Sequence, residues 1–289
     1  MIDLLVFRHR IVRDLAWVIA SPPLVSGDIN GVHWWHEEDC LWEYRDCLDA
    51  LLELDADPSP LQSEIDTLRS HALGHRFECL VDYWLTISPN YSRVARNIQL
   101  NEERRTIGEL DFLIRDLHSD EFIHLEVAVK FYMGFINGTE MSCWYGNNLH
   151  DRLDKKFGRL SDFQTQLSQL HPDKIPGVVD RRYCWLKGRL FYPESTAMAA
   201  PDGCAASHLR GVWGESVDAH LAASDGRLQA HAIGKSGWLS AFTPSEVSNH
   251  PQATRKDHHA QCYLIYDQQA EVERYFQRKQ PDISRFQAD

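Results

Sequence analysis

The sequence predicts an α/β protein in which a mixed central sheet is flanked by helices. Residues 122–133 alternate apolar and polar side chains with a period of two, as a strand does. Residues 73–85 and 148–170 instead repeat apolar side chains at spacings of three and four, as amphipathic helices do. Since the chain has 289 residues, 43% of them apolar, it can bury a sizeable core.

The predicted elements form an N-terminal extension followed by a core. Residues 1–70 are expected to be helical, with one helix over 36–54 and another that begins at Ser59, followed by Pro60 at its first helical position. The core, residues 71–193, is expected to run helix, strand, strand, strand, helix, strand. These six elements are residues 73–85, 94–100, 106–115, 122–133, 148–170 and 183–192.

A mixed α/β extension is expected to follow the core and to pack on it, over residues 194–289. Much of its first part is rich in Gly, Ala and Ser and carries no clear periodicity. Residues 261–266 are predicted to form a strand and residues 268–280 a final helix.

Charge and cysteine content limit the functional classes. The net charge is −12, and residues 1–70 carry −9 of it, whereas residues 71–190 are neutral overall. The neutral middle can therefore still present a basic face to nucleic acid. No apolar run reaches the ~18 residues of a membrane span, and we expect no signal peptide. The seven cysteines form no CxxC pair, which is typical of reduced thiols and predicts a cytoplasmic protein.

Charged side chains stand in the core elements at positions that should be apolar. They are Glu78 on the first helix, Glu109 and Asp111 on the second strand, and Glu126 and Lys130 on the third. If these two strands pair, Asp111 and Glu126 can lie side by side on one face, where they would repel each other. A hard cation such as Mg²⁺ or Mn²⁺ relieves that repulsion, and a lysine nearby stabilises developing negative charge. The pattern predicts metal-dependent hydrolysis of a phosphodiester.

These residues resemble the motif of the PD-(D/E)xK nuclease superfamily, which is helix-Glu, strand-Asp and strand-Glu-x-Lys. Four segments also resemble a bacterial family of unknown function, the domain-of-unknown-function 1853 proteins. The segments are LGHRFECL (73–80), RTIGELDFLI (105–114), HLEVAVKFY (124–132) and DRLDKK (151–156). The resemblance spans most of the chain and implies a restriction-endonuclease-like core, αβββαβ, with nuclease activity.

The resemblance also implies roles for individual residues. Asp111 and Glu126 would be the metal-binding carboxylates, and the backbone carbonyl of Val127 would complete the Mg²⁺ or Mn²⁺ site. Lys130 would be the catalytic lysine, and Glu78 an additional ligand or a positioning residue.

Two positions depart from the superfamily motif. Ala128 stands where Glu-x-Lys has its lysine, so Lys130 lies ~6.6 Å further along the strand. Leu110 replaces the proline that precedes the aspartate. A long lysine can compensate for the shift, or the site is degraded and the protein is a module that binds nucleic acid or a protein partner. Both alternatives remain open at the level of sequence.

A basic helix face and a histidine pair complete the candidates. Arg152, Lys155, Lys156 and Arg159 recur at spacings of three and four, and could contact the phosphates of nucleic acid, DNA rather than RNA. The alternative is an ordinary solvated face, because Asp151 and Asp154 are interleaved. His71, His75 and Glu78 share a helix face and could bind zinc, but a structural or surface histidine pair is the better explanation.

Overall fold

The computed structural model describes residues 2–70, 72–102, 105–224, 228–243, 246, 260–267 and 271–283. The helices are α1 (Arg10–Ala20), α2 (Glu37–Asp46), α3 (Leu48–Ala56), α4 (Ser59–Asp66), α5 (Leu73–Ile87), α6 (Leu153–Asp162), α7 (Leu167–Leu170) and α8 (Val217–Ala222). The strands are β1 (Gly27–Ile29), β2 (Val32–Trp34), β3 (Tyr91–Glu102), β4 (Arg105–Asp116), β5 (Phe122–Gly134), β6 (Trp144–Tyr145), β7 (Arg181–Pro193), β8 (Leu209–Gly214), β9 (Gln229–Ile233), β10 (Ala260–Tyr266) and β11 (Glu271–Arg278).

The described strands join into one mixed sheet. Its order is β3-β4-β5-β7-β8-β11-β10-β9, with β2 beside the start of β7, β1 beside β2, and β6 beside the end of β5. Strands β3, β4 and β5 are antiparallel, β5, β7, β8 and β11 are parallel, and β11, β10 and β9 are again antiparallel. The predicted fold class, a mixed central sheet flanked by helices, is confirmed. The sheet also runs on from the predicted core into the C-terminal part of the chain.

Strand β5 lies inside this sheet, and both of its faces are covered. Its odd-numbered side chains, such as Leu125 and Val127, pack into the main core together with α1 and α5. On the other face His124 and Glu126 are fully buried. The predicted alternation is therefore correct, but the polar face is covered by the chain around α6 and α7 rather than open to solvent.

Helix α5 forms where its apolar stripe predicts it. Phe77, Leu80, Val81 and Trp84 lie on one face and are fully buried against β5 and α1. The helix ends at Ile87, because Ser88 is extended ahead of Pro89. The predicted strands of the core are confirmed as well, each somewhat longer than expected.

The predicted helix over residues 148–170 is confirmed only in part, because it starts later than expected and is not continuous. The chain forms α6, a short 3₁₀ turn at Gln164–Gln166 and then α7. Helix α6 ends at Asp162, because the backbone of Phe163 is not helical, and the Thr165 hydroxyl donates to the Leu160 carbonyl (2.7 Å). The break turns the following residues over the Glu126 face of β5, which a straight helix would not cover.

Two further helix predictions are wrong in part. Residues 36–54 do not form one helix, because the helix is interrupted at Cys47 between α2 and α3. Of the residues predicted to form a final helix, 271–278 instead form strand β11. Residues 268–270 lie outside the described residues. Tyr275 and Phe276 are adjacent and both buried, which a strand between β8 and β10 allows because it is covered on both faces. No helix in the described part of the chain is long and apolar enough to cross a membrane.

Candidate active site

Strands β4 and β5 pair over only part of their length. Strand β4 follows β3 from end to end, but it pairs with β5 only at Phe112 to Arg115, opposite Phe122 to Leu125. Beyond that ladder the two strands separate, and the next residue on each is Asp111 on β4 and Glu126 on β5. We call this point of divergence the fork.

At the fork, side-chain carboxylates accept hydrogen bonds from backbone N–H groups of the opposite strand. Asp111 Oδ2 accepts a hydrogen bond from the Val127 N–H (2.9 Å), and Glu126 Oε1 accepts one from the Asp111 N–H (3.2 Å). The N–H and C=O of a strand residue point to the same edge, so the Val127 carbonyl also faces β4. The structure therefore brings Asp111, Glu126 and the Val127 backbone together.

Buried donors hold Glu126 in place. Its Oε1 atom contacts His124 Nε2 (2.8 Å), and its Oε2 atom accepts from Gln164 Nε2 (3.0 Å). His124 Nδ1 lies 2.9 Å from the Ser168 hydroxyl. Burial lowers the pKa of His124 to about 3, so the ring is neutral. The simplest tautomer accepts from Ser168 and donates to Glu126.

The two carboxylates at the fork are costly to ionise. Burial raises the pKa of Asp111 to about 8, and the charge of Glu126 adds to the effect. Burial likewise raises the pKa of Glu126 to about 7, although the hydrogen bonds it accepts oppose this. Such shifts arise where like charges share a site of low polarity, and they are frequent at functional sites.

Glu78 of α5 interacts electrostatically with the carboxylates of β4. Burial raises its pKa, and the charges of Asp111 and Glu109 raise it further, which places the three acids in one electrostatic neighbourhood. Among the described residues, neither the Glu78 carboxylate nor Asp111 Oδ1 has a hydrogen-bond partner. Glu109 lies two residues before Asp111 on β4, opposite Gln99 of β3.

Lys130 does not pair with the fork carboxylates. Its amine donates to Asp151 Oδ2 (2.6 Å), and the Tyr132 hydroxyl donates to Asp151 Oδ1 (3.0 Å). Within the described chain, Asp151 is the carboxylate that lies within 4 Å of this amine. Four residues along β5 from Glu126, Lys130 is thus held beside the segment that leads into α6.

A different lysine faces the fork. Lys156 of α6 is half-buried, and its amine donates to Gln164 Oε1 (3.3 Å), so one amide links it to Glu126. Burial lowers the pKa of Lys156 and the charge of Lys130 lowers it further, whereas the charges of Asp111 and Glu126 oppose this. Sequence reasoning assigned this residue to a basic surface. The missed signal was its helical spacing from Leu153 and Leu160, both buried.

The family of the chain follows from a comparison with protein-family models. The model described as "Domain of unknown function (DUF1853)" matches residues 13–282, which includes all the fork residues. The chain belongs to this family. No curated protein and no solved structure matches it.

The predicted basic face is not a single surface in this DUF1853 protein. Lys155 and Arg159 are exposed, but Lys156 turns inward and the Arg152 guanidinium is bonded to Asp154 (2.6 Å). The nucleic-acid-binding role of these four residues stays a prediction, and only Lys155 and Arg159 are freely exposed for it.

No preformed zinc site appears in the described parts of the DUF1853 chain. Among those residues, no group of three or more His, Cys, Asp and Glu side chains is arranged to hold a metal ion. His75 is exposed, and His71 lies outside the described residues. A cation at the fork would consequently depend on few protein oxygens together with water.

Proposed function

We propose that this DUF1853 protein is a Mg²⁺- or Mn²⁺-dependent nuclease that hydrolyses phosphodiester bonds of nucleic acid. The observation that carries the proposal is the meeting of Asp111 and Glu126 at the fork. The element order α5, β3, β4, β5, α6, β7 supports a restriction-endonuclease-like core around it, and the partners of the site would be nucleic acid and a divalent cation.

The donor set at the fork suits a hard cation. Asp111, Glu126 and the Val127 carbonyl would hold it together with water, and all three are oxygen ligands of the kind that Mg²⁺ and Mn²⁺ prefer. Glu78 would be the additional ligand or positioning residue that the resemblance implies. The raised pKa values of the three acids reflect repulsion and desolvation that a positive ion would relieve. When bound, such an ion stabilises negative charge on a phosphoryl group and makes water a better nucleophile at neutral pH.

The surrounding side chains orient Glu126 and place positive charge beside it. His124 and Gln164 fix both oxygens of Glu126, so the carboxylate cannot turn away from Asp111. We propose that Lys156 takes the role that the resemblance gives to the lysine of Glu-x-Lys. Its amine would stabilise negative charge on the scissile phosphate or orient the attacking water. Lys130, paired with Asp151, would instead support the segment that positions α6.

Cleavage assays with conservative variants test this proposal. The parent, Asp111→Asn and Glu126→Gln are incubated with single- and double-stranded DNA and RNA in Mg²⁺ or Mn²⁺. We expect the parent to cleave and each amide variant to be slower by about a hundredfold or more. Circular dichroism checks that the variants fold. Equal rates for all three proteins would reject the proposal.

The two lysines are separated by a matched pair of variants. Lys156→Met is expected to lower kcat by about a hundredfold, because it removes the positive charge that would stabilise the reacting phosphate. Lys130→Met, which removes a charge paired with Asp151, is expected to cost less than about tenfold. The reverse order would return the catalytic role to Lys130.

A second candidate is a module of the same fold that binds nucleic acid or a protein without cleaving. It is favoured by Glu126, both of whose oxygens already accept hydrogen bonds from protein donors. It is favoured also by Lys130, which is engaged by Asp151. Calorimetric titration with Mn²⁺ distinguishes the two. The module predicts no heat at millimolar Mn²⁺ together with intact DNA binding, whereas the nuclease predicts heat that Asp111→Asn abolishes.

A further inference from the structure

A concave site lies away from the fork, where the N-termini of α1 and α4 meet the first turn of α5. It encloses about 570 Å³, and its lining includes Arg10, Arg76, Ser59 and Gln62. We call it the arginine pocket. We propose that the arginine pocket binds a phosphate group, carried either by inorganic phosphate or by the end of a nucleic-acid strand.

Arg10 is the main observation behind this proposal. Its Nη1 atom is buried and has no hydrogen-bond partner. No carboxylate of the described residues lies within 4 Å of its guanidinium, which instead lies over the Phe242 ring, 4.8 Å from its centre. A buried cationic donor without an acceptor costs free energy. Such a donor is therefore expected where a bound anion supplies the acceptor.

Arg76 brings a second incomplete cation to the same cavity. Its Nη2 atom donates to Asp14 (2.7 Å), but its Nε atom is buried without an acceptor. Burial lowers the pKa of Arg10, and the charges of Arg76 and Arg13 lower it further, although Asp14 and Glu246 oppose them. Two guanidinium groups with spare donors that repel each other across a cavity are the arrangement that a phosphate bridges.

The N-terminus of α1 adds to the positive potential. No side chain caps α1, whose first helical bonds are donated by Val12 and Arg13 to the His9 carbonyl, so the N–H groups of Arg10 and Ile11 stay free of the helix. Exposed N–H groups and the helix dipole both favour an anion at such an end. At α4, by contrast, the Asp57 carboxylate accepts the N–H of the first residue, Ser59.

One acidic residue belongs to the rim of the arginine pocket. The Asp57 carboxylate is exposed and accepts the Ser59 N–H (3.1 Å). Asp14 pairs with Arg76 and Glu246 pairs with Arg13, whereas Arg10 has no carboxylate within 4 Å among the described residues. The unpartnered donors of Arg10 and Arg76, rather than an excess of positive charge, therefore favour a bound anion.

Phosphate binding by the full-length protein tests the site. Thermal unfolding and calorimetry are run in EDTA with inorganic phosphate, against chloride of equal ionic strength. We compare the parent with Arg10→Gln, with the charge-conserving Arg10→Lys, and with Arg45→Gln, an exposed arginine on α2 that serves as the control. Phosphate should stabilise the parent and the control, and bind Arg10→Gln at least about tenfold more weakly, with Arg10→Lys between them.

The unfolding temperature without phosphate shows whether Arg10→Gln folds, and we expect it to match or exceed that of the parent because a charge without a paired carboxylate is removed. Should that variant fail to fold, Arg10→Lys carries the comparison. No stabilisation beyond the chloride series, or equal affinity for phosphate in the parent and the folded Arg10 variants, would overturn the proposal.

The source of the phosphate is distinguished with oligonucleotides that differ only in a terminal phosphate. Tighter binding of the phosphorylated strand, lost in Arg10→Gln, assigns the pocket to a strand end. Equal binding of both strands together with inorganic phosphate binding assigns it to the free anion. Because these measurements need neither metal nor cleavage, their outcome is independent of the proposed hydrolysis at the fork.

Discussion

Glu43 of α2 and Glu126 of β5 are both fully buried, yet their surroundings differ. Glu43 accepts hydrogen bonds from Trp84 Nε1 (2.7 Å), the Ser88 hydroxyl (2.5 Å) and Asn90 Nδ2 (2.9 Å). The Asn90 amide also donates to Asp46 (3.0 Å), so a donor stands between these two acids. Glu43 thus ties α2 to α5 and to the start of β3.

Glu126 is also well bonded, but it shares its site with Asp111, Glu78 and Glu109, whose charges are felt across the fork. Burial of a carboxylate alone therefore does not indicate function, since donors that satisfy it make it structural. The convergence of several like charges, which the fold must hold together at a cost, is what indicates a site for a cation.

The largest expected effect is at the structural glutamate. Glu43→Ala leaves the buried Trp84 N–H without an acceptor and leaves the Asn90 amide with only Asp46, so we expect a loss of about 3–5 kcal/mol in the free energy of unfolding. Urea unfolding followed by tryptophan fluorescence measures it. The exposed Glu38→Ala on the same helix is the control and should cost about 0.5 kcal/mol or less. Equal losses at both positions would remove the distinction drawn for Glu43.

Asp111→Asn is expected to have the opposite sign. The amide carbonyl can still accept the Val127 N–H, while a buried charge next to Glu126 disappears. We expect the metal-free variant at pH 8 to be more stable than the parent by about 1–2 kcal/mol in urea unfolding. Destabilisation of the variant would mean that the Asp111 charge is satisfied within the protein and needs no cation.

The difference in the free energy of unfolding between the parent and Asp111→Asn should depend on pH. The folded-state pKa of Asp111 is raised from 3.8 to about 8, so the folded parent holds a proton that the unfolded chain has released. Its contribution to stability is therefore present at low pH and declines as the pH rises towards 8. Unfolding of the parent and Asp111→Asn at a series of pH values should give a gap that narrows on acidification. A constant gap would contradict the assigned shift.

The smallest expected effect is stabilisation by the cation itself. At a Mg²⁺ concentration ten times the dissociation constant, the folded parent gains about 1.4 kcal/mol. The gain should be larger at pH 8 than at pH 6, since protons compete for the same carboxylates. Differential scanning calorimetry with Asp111→Asn as the control, for which no gain is expected, measures it. The same gain in the variant would locate the bound ion away from the fork.

The sequence predicted the core well because its signals there are local. The alternation of residues 122–133 and the stripe of residues 73–85 set β5 and α5. The expectation that Asp111 and Glu126 converge required only that β4 and β5 pair in one register, and the ladder ending at Phe112 and Leu125 makes them the next residues. The fork itself, where the strands separate, leaves no mark in a period-two pattern.

The errors arise where tertiary contacts decide the local structure. The leucine spacing of residues 148–170 is helical throughout, but the helix is interrupted at Phe163. After the interruption, Gln164 contacts Glu126 and Ser168 contacts His124. The sequence predicts that Lys156 lies on the surface, because charged side chains are usually exposed. Residues 271–278 form a strand because β11 lies between β8 and β10 inside the sheet, where apolar side chains can be buried on both faces.

The fork carboxylates are tested most directly by crystals of the parent and of Asp111→Asn grown with Mn²⁺ at pH 8, using anomalous scattering to locate the ion. We predict a peak within coordination distance of both Asp111 and Glu126 in the parent and none there in the variant. Mn²⁺ found only at surface sites, with the parent fork empty at saturating concentration, would contradict the proposed cation site and leave the carboxylates as a structural pair.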